Sequence, residues 1–250
     1  MNDHRIYSEK CDIDDAKTKM YFDNRAQKDV PHRYNHVLNQ DSHPEIALQR
    51  DRYEKDKMSK LLNFSAQTRI LDIGCGVGRW GDEIAKDLTD EGVYVGIDYS
   101  PEMIKLATES KCSVREHFYV GSFQEIPNVL SDNNEIVTYD RILINGVLQY
   151  VNDRDIDLCM ENVLRCAAPN SMVYIKEAVG RADRFTLKDF YSEELRSEYN
   201  TIFRSVKEYS DIIYKYFLSN GFYLISCGQT WPDELENRSE SMSFYWIFDR

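Results

Sequence analysis

Three glycines and two acids stand at a spacing that suits a nucleotide-like ligand. Residues 70–80 read ILDIGCGVGRW, an apolar run followed by alternate glycines that end at Gly78. Glycine lets the backbone turn sharply and approach a ligand with no side chain in the way. The next apolar run ends at Asp98, where an acid can accept hydrogen bonds from both ribose hydroxyls. We therefore expect a ribose-containing ligand at this turn.

Two ligand types fit such a turn, and the neighbouring residues separate them. A dinucleotide usually takes GxGxxG, with its pyrophosphate at the helix N-terminus. Here the third glycine comes one place early, and Arg79 stands where that motif has glycine. Asp72, two residues before Gly74, is not needed for an anion but suits a ligand with a cationic amine. The pattern therefore counts against NAD(P) and favours a ribose-containing ligand that carries a cationic amine.

The best-placed general base is Glu177, at the end of the strand-like run 172–179. Its alternative role is a salt bridge with a neighbouring cation. His32 and His36 have the spacing of metal ligands on a helix, but Pro31 and the turn residues around them argue against a helix there. We expect no metal site.

Residues 180–208 are rich in Arg, Tyr and Phe, and they interrupt a regular alternation of predicted strands and helices. A crossover needs far fewer residues, so we interpret this segment as a lid or substrate-facing insertion, with a decorative helical insert as the alternative. Arginine offers forked donors for phosphate or carboxylate, so the arginines of this segment could bind an anionic substrate. The alternative is that they form ion pairs at the surface. The predicted substrate-binding residues are Tyr150, Arg181, Arg184, Tyr199 and Arg204.

The elements that must position these residues alternate between strand and helix. Helix-compatible segments cover 14–28 and 44–64 before the glycine turn. Strands are expected at 69–74, 93–98, 117–122, 139–147, 172–179, 223–228 and 242–249. Alternation predicts an α/β fold with a Rossmann-like, doubly wound seven-stranded sheet. The last two strands have no helix between them, so the final strand is expected to be antiparallel. We divide the chain into an N-terminal helical cap, 1–66, and a core, 67–250, within one structural domain.

Composition excludes several classes of function. The net charge of -12 over 250 residues argues against nucleic acid or an anionic membrane as partner. No apolar run approaches the length of a membrane span, and the N-terminus has no apolar signal core. The six cysteines form no CxxC pair, which indicates reduced thiols in a cytoplasmic protein.

Four ordered motifs resemble those of class I S-adenosylmethionine-dependent methyltransferases of the small-molecule type. They are ILDIGCGVGRW, VGIDYSPEMIKLA, VGSFQEIP and RILINGVLQYVND, within residues 67–180. The resemblance implies S-adenosylmethionine as cofactor and methyl transfer to an oxygen or nitrogen, a phosphate or phosphoramidate oxygen included. It implies cofactor contacts from Asp72, Gly74, Cys75, Gly76, Asp98, Tyr99, Met103, Ser122, Phe123, Asn145 and Gly146, with Asn145 also beside the transferred methyl.

The segments YFDNRA and HPEIALQRDRYEKDKMSKLL are similar to methyltransferases of bacterial surface-polysaccharide gene clusters. That similarity implies Tyr21 as a catalytic residue of a cap over the cofactor and Arg25 as the partner of the cofactor carboxylate. The expected partner is a small molecule, and an anionic one, such as a sugar nucleotide or a phosphorylated compound, if the arginines of 180–208 face the pocket. The protein is expected to be a monomer or homodimer. An NAD(P)-dependent oxidoreductase and a non-catalytic S-adenosylmethionine-binding module are the alternatives.

Overall fold

The computed structural model describes residues 4–250, which form ten strands and seven α-helices. The strands are β1 (Arg5–Tyr7), β2 (Arg69–Ile73), β3 (Val93–Asp98), β4 (Glu116–Val120), β5 (Tyr139–Asn145), β6 (Ala167–Gly180), β7 (Phe185–Ser192), β8 (Ser197–Phe203), β9 (Tyr223–Gln229) and β10 (Ser241–Asp249). The helices are α1 (Asp15–Ala26), α2 (Pro44–Leu62), α3 (Gly81–Ile84), α4 (Pro101–Glu109), α5 (Ile126–Asp132), α6 (Ile156–Cys166) and α7 (Val206–Phe217).

Seven strands form one sheet in the order β4-β3-β2-β5-β6-β10-β9. The first five in this order are parallel, while β10 lies antiparallel to both β6 and β9. This confirms the predicted fold class and the antiparallel last strand. The strand order reverses between β2 and β5, and in such sheets ligands bind beyond the carboxyl ends of the strands at that point.

Both faces of the sheet are covered, which explains why its strands are apolar runs and not alternating ones. On one face α5, α6 and α7 pack against residues such as Ile142 and Ile175. On the other, α2 and α3 pack against Leu143 and Tyr174. Residues 78–88 form only the short α3 followed by a 3-10 turn. Glycine is a poor helix former, and both Gly78 and Gly81 lie at this start.

Local sequence signals set the ends of the helices that flank the site. Ser100 accepts a hydrogen bond from the Met103 backbone at 3.2 Å, and Pro101 follows as the first residue of α4. Serine caps and proline at the first position both favour helix starts, so the two residues set the start of α4. Ser205 and Glu208 form a reciprocal capping box at the start of α7.

The insertion at 180–208 is a β-hairpin and not a helical insert. Strands β7 and β8 pair antiparallel, and the N-terminal strand β1 adds to β7, so the three form a separate sheet in the order β1-β7-β8. The rings of Phe185 and Phe203 stack across the hairpin at 4.5 Å. Because Phe185 also packs with Tyr21 of α1, the hairpin and the N-terminal segment form one aromatic cluster.

Along residues 4–250, none of the helices is both long enough and apolar enough to cross a bilayer.

Candidate functional site

A cavity of about 1010 Å³ opens at the carboxyl edge of the parallel strands. One end is lined by the turn after β2 and by the ends of β3 and β5. The other end is lined by the β7–β8 hairpin, residues 37–40 and the 231–243 segment. Small-molecule pockets usually measure about 300–1,000 Å³. The cavity is therefore large enough for two small ligands, and we call its halves the strand end and the hairpin end.

The glycine turn forms the floor of the strand end. Gly74 and Gly76 have φ angles of 69° and 53°, which glycine adopts without strain. A Cβ on Gly76 would lie 2.6 Å from Val37 Cγ1, and one on Gly74 would collide with Val147. Both positions therefore need glycine for backbone conformation and for space.

Asp98 connects this turn to the segment that follows β3. Its Oδ2 accepts from the Gly76 backbone N–H at 2.9 Å, and its Oδ1 accepts from Ser100 N–H at 2.9 Å. Burial raises the pKa of this carboxyl to about 6, although both backbone donors oppose the shift. Each oxygen keeps a second lone pair, so Asp98 can still accept from ligand hydroxyls.

Asp72 is buried at the end of β2, where the Tyr94 hydroxyl donates to its Oδ2. Burial is the main cause that raises the pKa of Asp72 to about 7. A cationic amine placed at this carboxylate would favour its ionised form. The site can thus hold an ammonium group beside the glycine turn.

Four side chains on the cavity wall have buried polar atoms without a hydrogen-bond partner in residues 4–250. They are both amide atoms of Asn145, the Gln149 Oε1, the Tyr99 hydroxyl and the Trp80 Nε1. Buried polar atoms in native proteins are nearly always hydrogen-bonded, so their partner is expected to be a ligand. An adenosyl amino acid fits this set, since it offers hydroxyls, an amine and a carboxylate.

The remaining predicted cofactor contacts lie on the same wall. The cavity is lined by Cys75, Met103, Ser122, Phe123 and Gly146 together with Asp72, Asp98, Tyr99 and Asn145. The Ser122 hydroxyl donates to Glu125 at 2.6 Å. The structure therefore brings together eleven of the twelve predicted cofactor-binding residues, Gly74 and Gly76 included.

For the twelfth residue, Arg25, the structure differs from the predicted contact with the cofactor carboxylate. It is fully buried, its Nη1 and Nη2 donate to the Asp41 carboxylate, and its Nε and Nη2 also donate to the backbone oxygens of His36 and Asn35. Its charge is thus already paired, and it anchors the loop that precedes α2 instead of lining the cavity. Tyr21 lies beside it, also off the wall, and its hydroxyl donates to Asn39 at 2.9 Å.

The structure also differs from the prediction that Glu177 is the general base. Its two oxygens accept from the backbone N–H groups of Val147 at 3.0 Å, Leu148 at 2.9 Å and Gln149 at 3.2 Å. The carboxyl is fully buried and off the cavity wall, and burial raises its pKa to about 7 against those donors. It therefore supports the turn after β5 and has no path to an acceptor in this conformation.

The three predicted substrate arginines lie outside the cavity. Arg204 is fully buried and donates to the Asp153 carboxylate at 2.6 Å and to two backbone oxygens. Arg184 pairs with the same Asp153 at 2.8 Å. Arg181 donates to the backbone oxygens of Arg238 and Ser241. All three contact the hairpin or its neighbours and lie off the cavity wall, so none is placed to bind a ligand there.

The two predicted substrate tyrosines do line the hairpin end. Tyr150 and Tyr199 share a hydrogen bond of 2.6 Å between their hydroxyls, and the Asn39 amide lies 3.5 Å from the Tyr199 hydroxyl. Phe185 and Phe190 add apolar wall. This end can therefore hold an acceptor with apolar or aromatic surface and a few polar groups.

Sequence reasoning missed the cations that the cavity does present. Lys176 and Arg50 flank the Trp231 ring, at 5.5 Å and 4.5 Å from its centroid. Strand register was the available signal, because Lys176 lies opposite Asn145 on the neighbouring strand and so shares its face. Arg50 and Trp231 come from segments whose meeting no local pattern predicts.

A family model described as a methyltransferase domain matches residues 64–237. The chain belongs to this family. The match includes the whole parallel sheet and the glycine turn. It confirms the predicted enzyme class, a methyltransferase.

Known proteins similar to the chain carry related names. It is 22% identical over 129 residues to phosphoethanolamine N-methyltransferase 1 of Triticum aestivum, covering 51% of this chain and 25% of that protein. It is 27% identical over 113 residues to demethylmenaquinone methyltransferase of Lactiplantibacillus plantarum, covering 44% of this chain and 45% of that protein. The chain therefore spans less than half the length of these relatives.

Solved structures agree in fold. A phosphoethanolamine N-methyltransferase 1 from Haemonchus contortus, bound to phosphoethanolamine and S-adenosylhomocysteine, superposes with a TM-score of 0.69 at 16% identity, covering 94% of this chain and 48% of that one. A SAM-dependent methyltransferase from Leishmania major gives a TM-score of 0.63 at 16% identity, covering 93% and 82%.

Proposed function

We propose that this protein transfers a methyl group from S-adenosylmethionine to an oxygen or nitrogen of a small-molecule acceptor. The observation that carries the proposal is the unpartnered Asn145 amide at the end of β5, on the wall of the same cavity as the glycine turn. A nucleoside held by Asp98, with its amine at Asp72, would lie at the strand end beside Asn145. The acceptor would then approach from the hairpin end.

The bound cofactor would supply an already activated methyl group. The residues of the chain then have two tasks, which are to align the acceptor and to exclude water, and orientation can supply roughly 7–11 kcal/mol of the barrier in ideal cases. The aromatic walls from Phe185 and Phe190 serve the second task. Tyr150 and Tyr199 offer hydroxyls that can orient an acceptor group by hydrogen bonding.

The identity of the acceptor is a narrower question. Phosphoethanolamine is named for the wheat and H. contortus proteins, and a demethylated quinone for the L. plantarum one. Both are small molecules, and they are the first acceptors to test, followed by sugar nucleotides. A phosphate or phosphoramidate oxygen as acceptor, and a role in bacterial surface-carbohydrate biosynthesis, stay predictions from sequence similarity.

Titration calorimetry with S-adenosylhomocysteine and with NADH tests the cofactor. We expect the first to bind and the second not, and we expect Asp98→Ala to lose most of that affinity. Asp140→Ala is the matched control, because Asp140 pairs with Arg69 at the opposite end of the sheet. Binding of NADH alone would revive an oxidoreductase. Binding of S-adenosylhomocysteine without turnover of any acceptor would favour a non-catalytic binding module.

A further inference from the structure

Lys176 is the end of a buried chain of ion pairs that reaches the cavity. Its Nζ donates to Glu54 Oε2 at 2.8 Å. Glu54 in turn accepts from Arg79, and Arg79 donates to Asp51 at 2.7 Å. Asp51 also pairs with Lys55 at 2.9 Å. All five side chains are at least nine-tenths buried.

The charges in this chain do not balance. Lys55, Arg79 and Lys176 are cations, while Asp51 and Glu54 are the two acids that pair with them. Although burial alone would raise it, the pKa of Glu54 is lowered to about 2 by Arg79 and Lys176, so this acid is ionised. The chain therefore carries one positive charge in excess, and a buried charge without a partner is costly.

Of the three cations, Lys176 and Arg79 line the cavity and Lys55 does not. Arg79 already donates through both terminal nitrogens, to Asp51 and Glu54. An ammonium has three donors, and within residues 4–250 Glu54 is the one hydrogen-bond acceptor of Lys176. Burial lowers the pKa of Lys176, and an anion in the cavity would raise it again. Two donors are therefore available to a ligand.

Asn145 supplies a second donor at the same place. It lies opposite Lys176 in the β5–β6 register, and both amide atoms lack a partner in the described residues. Neighbouring strands are about 4.8 Å apart, so the two side chains rise side by side from one face of the sheet. Asp72, the next acid on this face, is bonded to Tyr94 and is the proposed partner of the cofactor amine.

We propose that Lys176 and Asn145 form an anion subsite that binds a carboxylate or phosphate oxygen of a ligand in the cavity. This rests on the proposed function. The oxygen comes either from the amino-acid carboxylate of the cofactor or from an anionic group on the acceptor. The subsite replaces Arg25 and the insertion arginines in this role, since Arg25, Arg184 and Arg204 are paired with acids and Arg181 lies off the cavity wall.

The first experiment separates the cofactor carboxylate from the rest of the nucleoside. S-adenosylhomocysteine and 5′-methylthioadenosine, which lacks the carboxylate, are titrated into the wild type, Lys176→Met and Lys55→Met. Lys55→Met is the matched control, because it removes a buried cation of the same chain away from the cavity. If the anion is the cofactor carboxylate, Lys176→Met weakens S-adenosylhomocysteine roughly 10- to 100-fold and leaves methylthioadenosine unchanged.

The second experiment tests an anionic acceptor. Inorganic phosphate is titrated into the protein with and without S-adenosylhomocysteine, and tryptophan fluorescence is followed, with Trp231→Phe to assign the signal and chloride at equal ionic strength as control. If the anion belongs to the acceptor, phosphate changes the Trp231 signal of the wild type, and Lys176→Met abolishes the change. This readout on the wild type stands even if Lys176→Met fails to fold.

The proposal is overturned if no phosphate response occurs in the wild type and if Lys176→Met matches Lys55→Met toward both nucleosides. Should Lys176→Met not fold, Asn145→Ala takes its place in the nucleoside titrations, with the same expectations. Absence of S-adenosylhomocysteine binding by the wild type would instead refute the proposed function. The phosphate titration without nucleoside would still decide whether the anion subsite exists.

Discussion

At the strand end of the cavity the polar groups come from the ends of β2, β3 and β5, whereas at the hairpin end they come from β8 and from separate loops. Asp98 is fixed at the strand end by two backbone hydrogen bonds of 2.9 Å. At the hairpin end Arg238 joins the loops, with 2.6 Å to Glu194 and 3.1 Å to the Asn39 backbone. The Arg238 side chain is 41% exposed.

This difference indicates that the two halves of the cavity differ in how far they can change shape around a ligand. Exposed ion pairs contribute only about 0–1 kcal/mol, so the hairpin end can open without loss of the sheet. The strand end cannot change shape in the same way, because its ligand contacts are part of the sheet edge. We infer that the cofactor half is rigid and that the acceptor half is adaptable.

The largest expected effect comes from comparing two arginines near the hairpin. Arg204→Ala should lower the free energy of unfolding by about 3–5 kcal/mol, because it leaves the half-buried Asp153 without its closest cation. Arg238→Ala should lower it by less than about 1 kcal/mol. Urea unfolding measures both. Equal losses in the two variants would contradict the distinction between a fixed base of the hairpin and adaptable loops.

The fold and the strand end could be predicted from the sequence because short-range rules govern them. Apolar runs of strand length, a serine followed by proline at 100 and 101, and glycines after β2 each act within a few residues. Parallel strands then bring their carboxyl ends to one edge, so Asp72, Asp98 and Asn145 had to meet there.

The hairpin end depends on contacts between distant residues, and these the sequence does not display. Arg25 and Arg204 look like free cations in the sequence, but each meets an acid, Asp41 and Asp153 respectively, that only the fold brings near. Glu177 lies near the carboxyl end of β6, as expected. The alternation of side chains along a strand nevertheless turns Glu177 away from the cavity and turns Lys176 toward it.

A smaller effect, on affinity, tests the rigidity of the strand end. Gly76→Val should weaken S-adenosylhomocysteine by more than about 100-fold, since the added side chain meets Val37 and strains a backbone at φ 53°. Gly221→Val is the control, because Gly221 has φ 83° and nothing within 4 Å of an added Cβ. This substitution strains only the backbone, so it should leave the affinity for S-adenosylhomocysteine unchanged. Normal binding by Gly76→Val would show that this end also adapts.

Near neutral pH the smallest effect is the pH dependence of cofactor binding. The carboxyls of Asp72 and Asp98 have pKa values raised by burial to about 7 and about 6. Their ionised forms accept from the cofactor amine and ribose, so protonation opposes binding. Affinity for S-adenosylhomocysteine should be constant above pH 8, begin to fall near 7, and fall more steeply below 6, by roughly tenfold per pH unit for each group.

The Asp98→Asn variant separates the effect of protonating Asp98 from the effect of protonating Asp72. The amide cannot titrate, so the steeper fall below pH 6 should disappear while the fall near pH 7 from Asp72 remains. Calorimetry from pH 5 to 8.5 measures both proteins. An affinity that does not change over this range would mean that neither carboxylate faces the ligand. Because loops contribute neither group, such a result would place the cofactor at the hairpin end and reverse the roles given to the two halves.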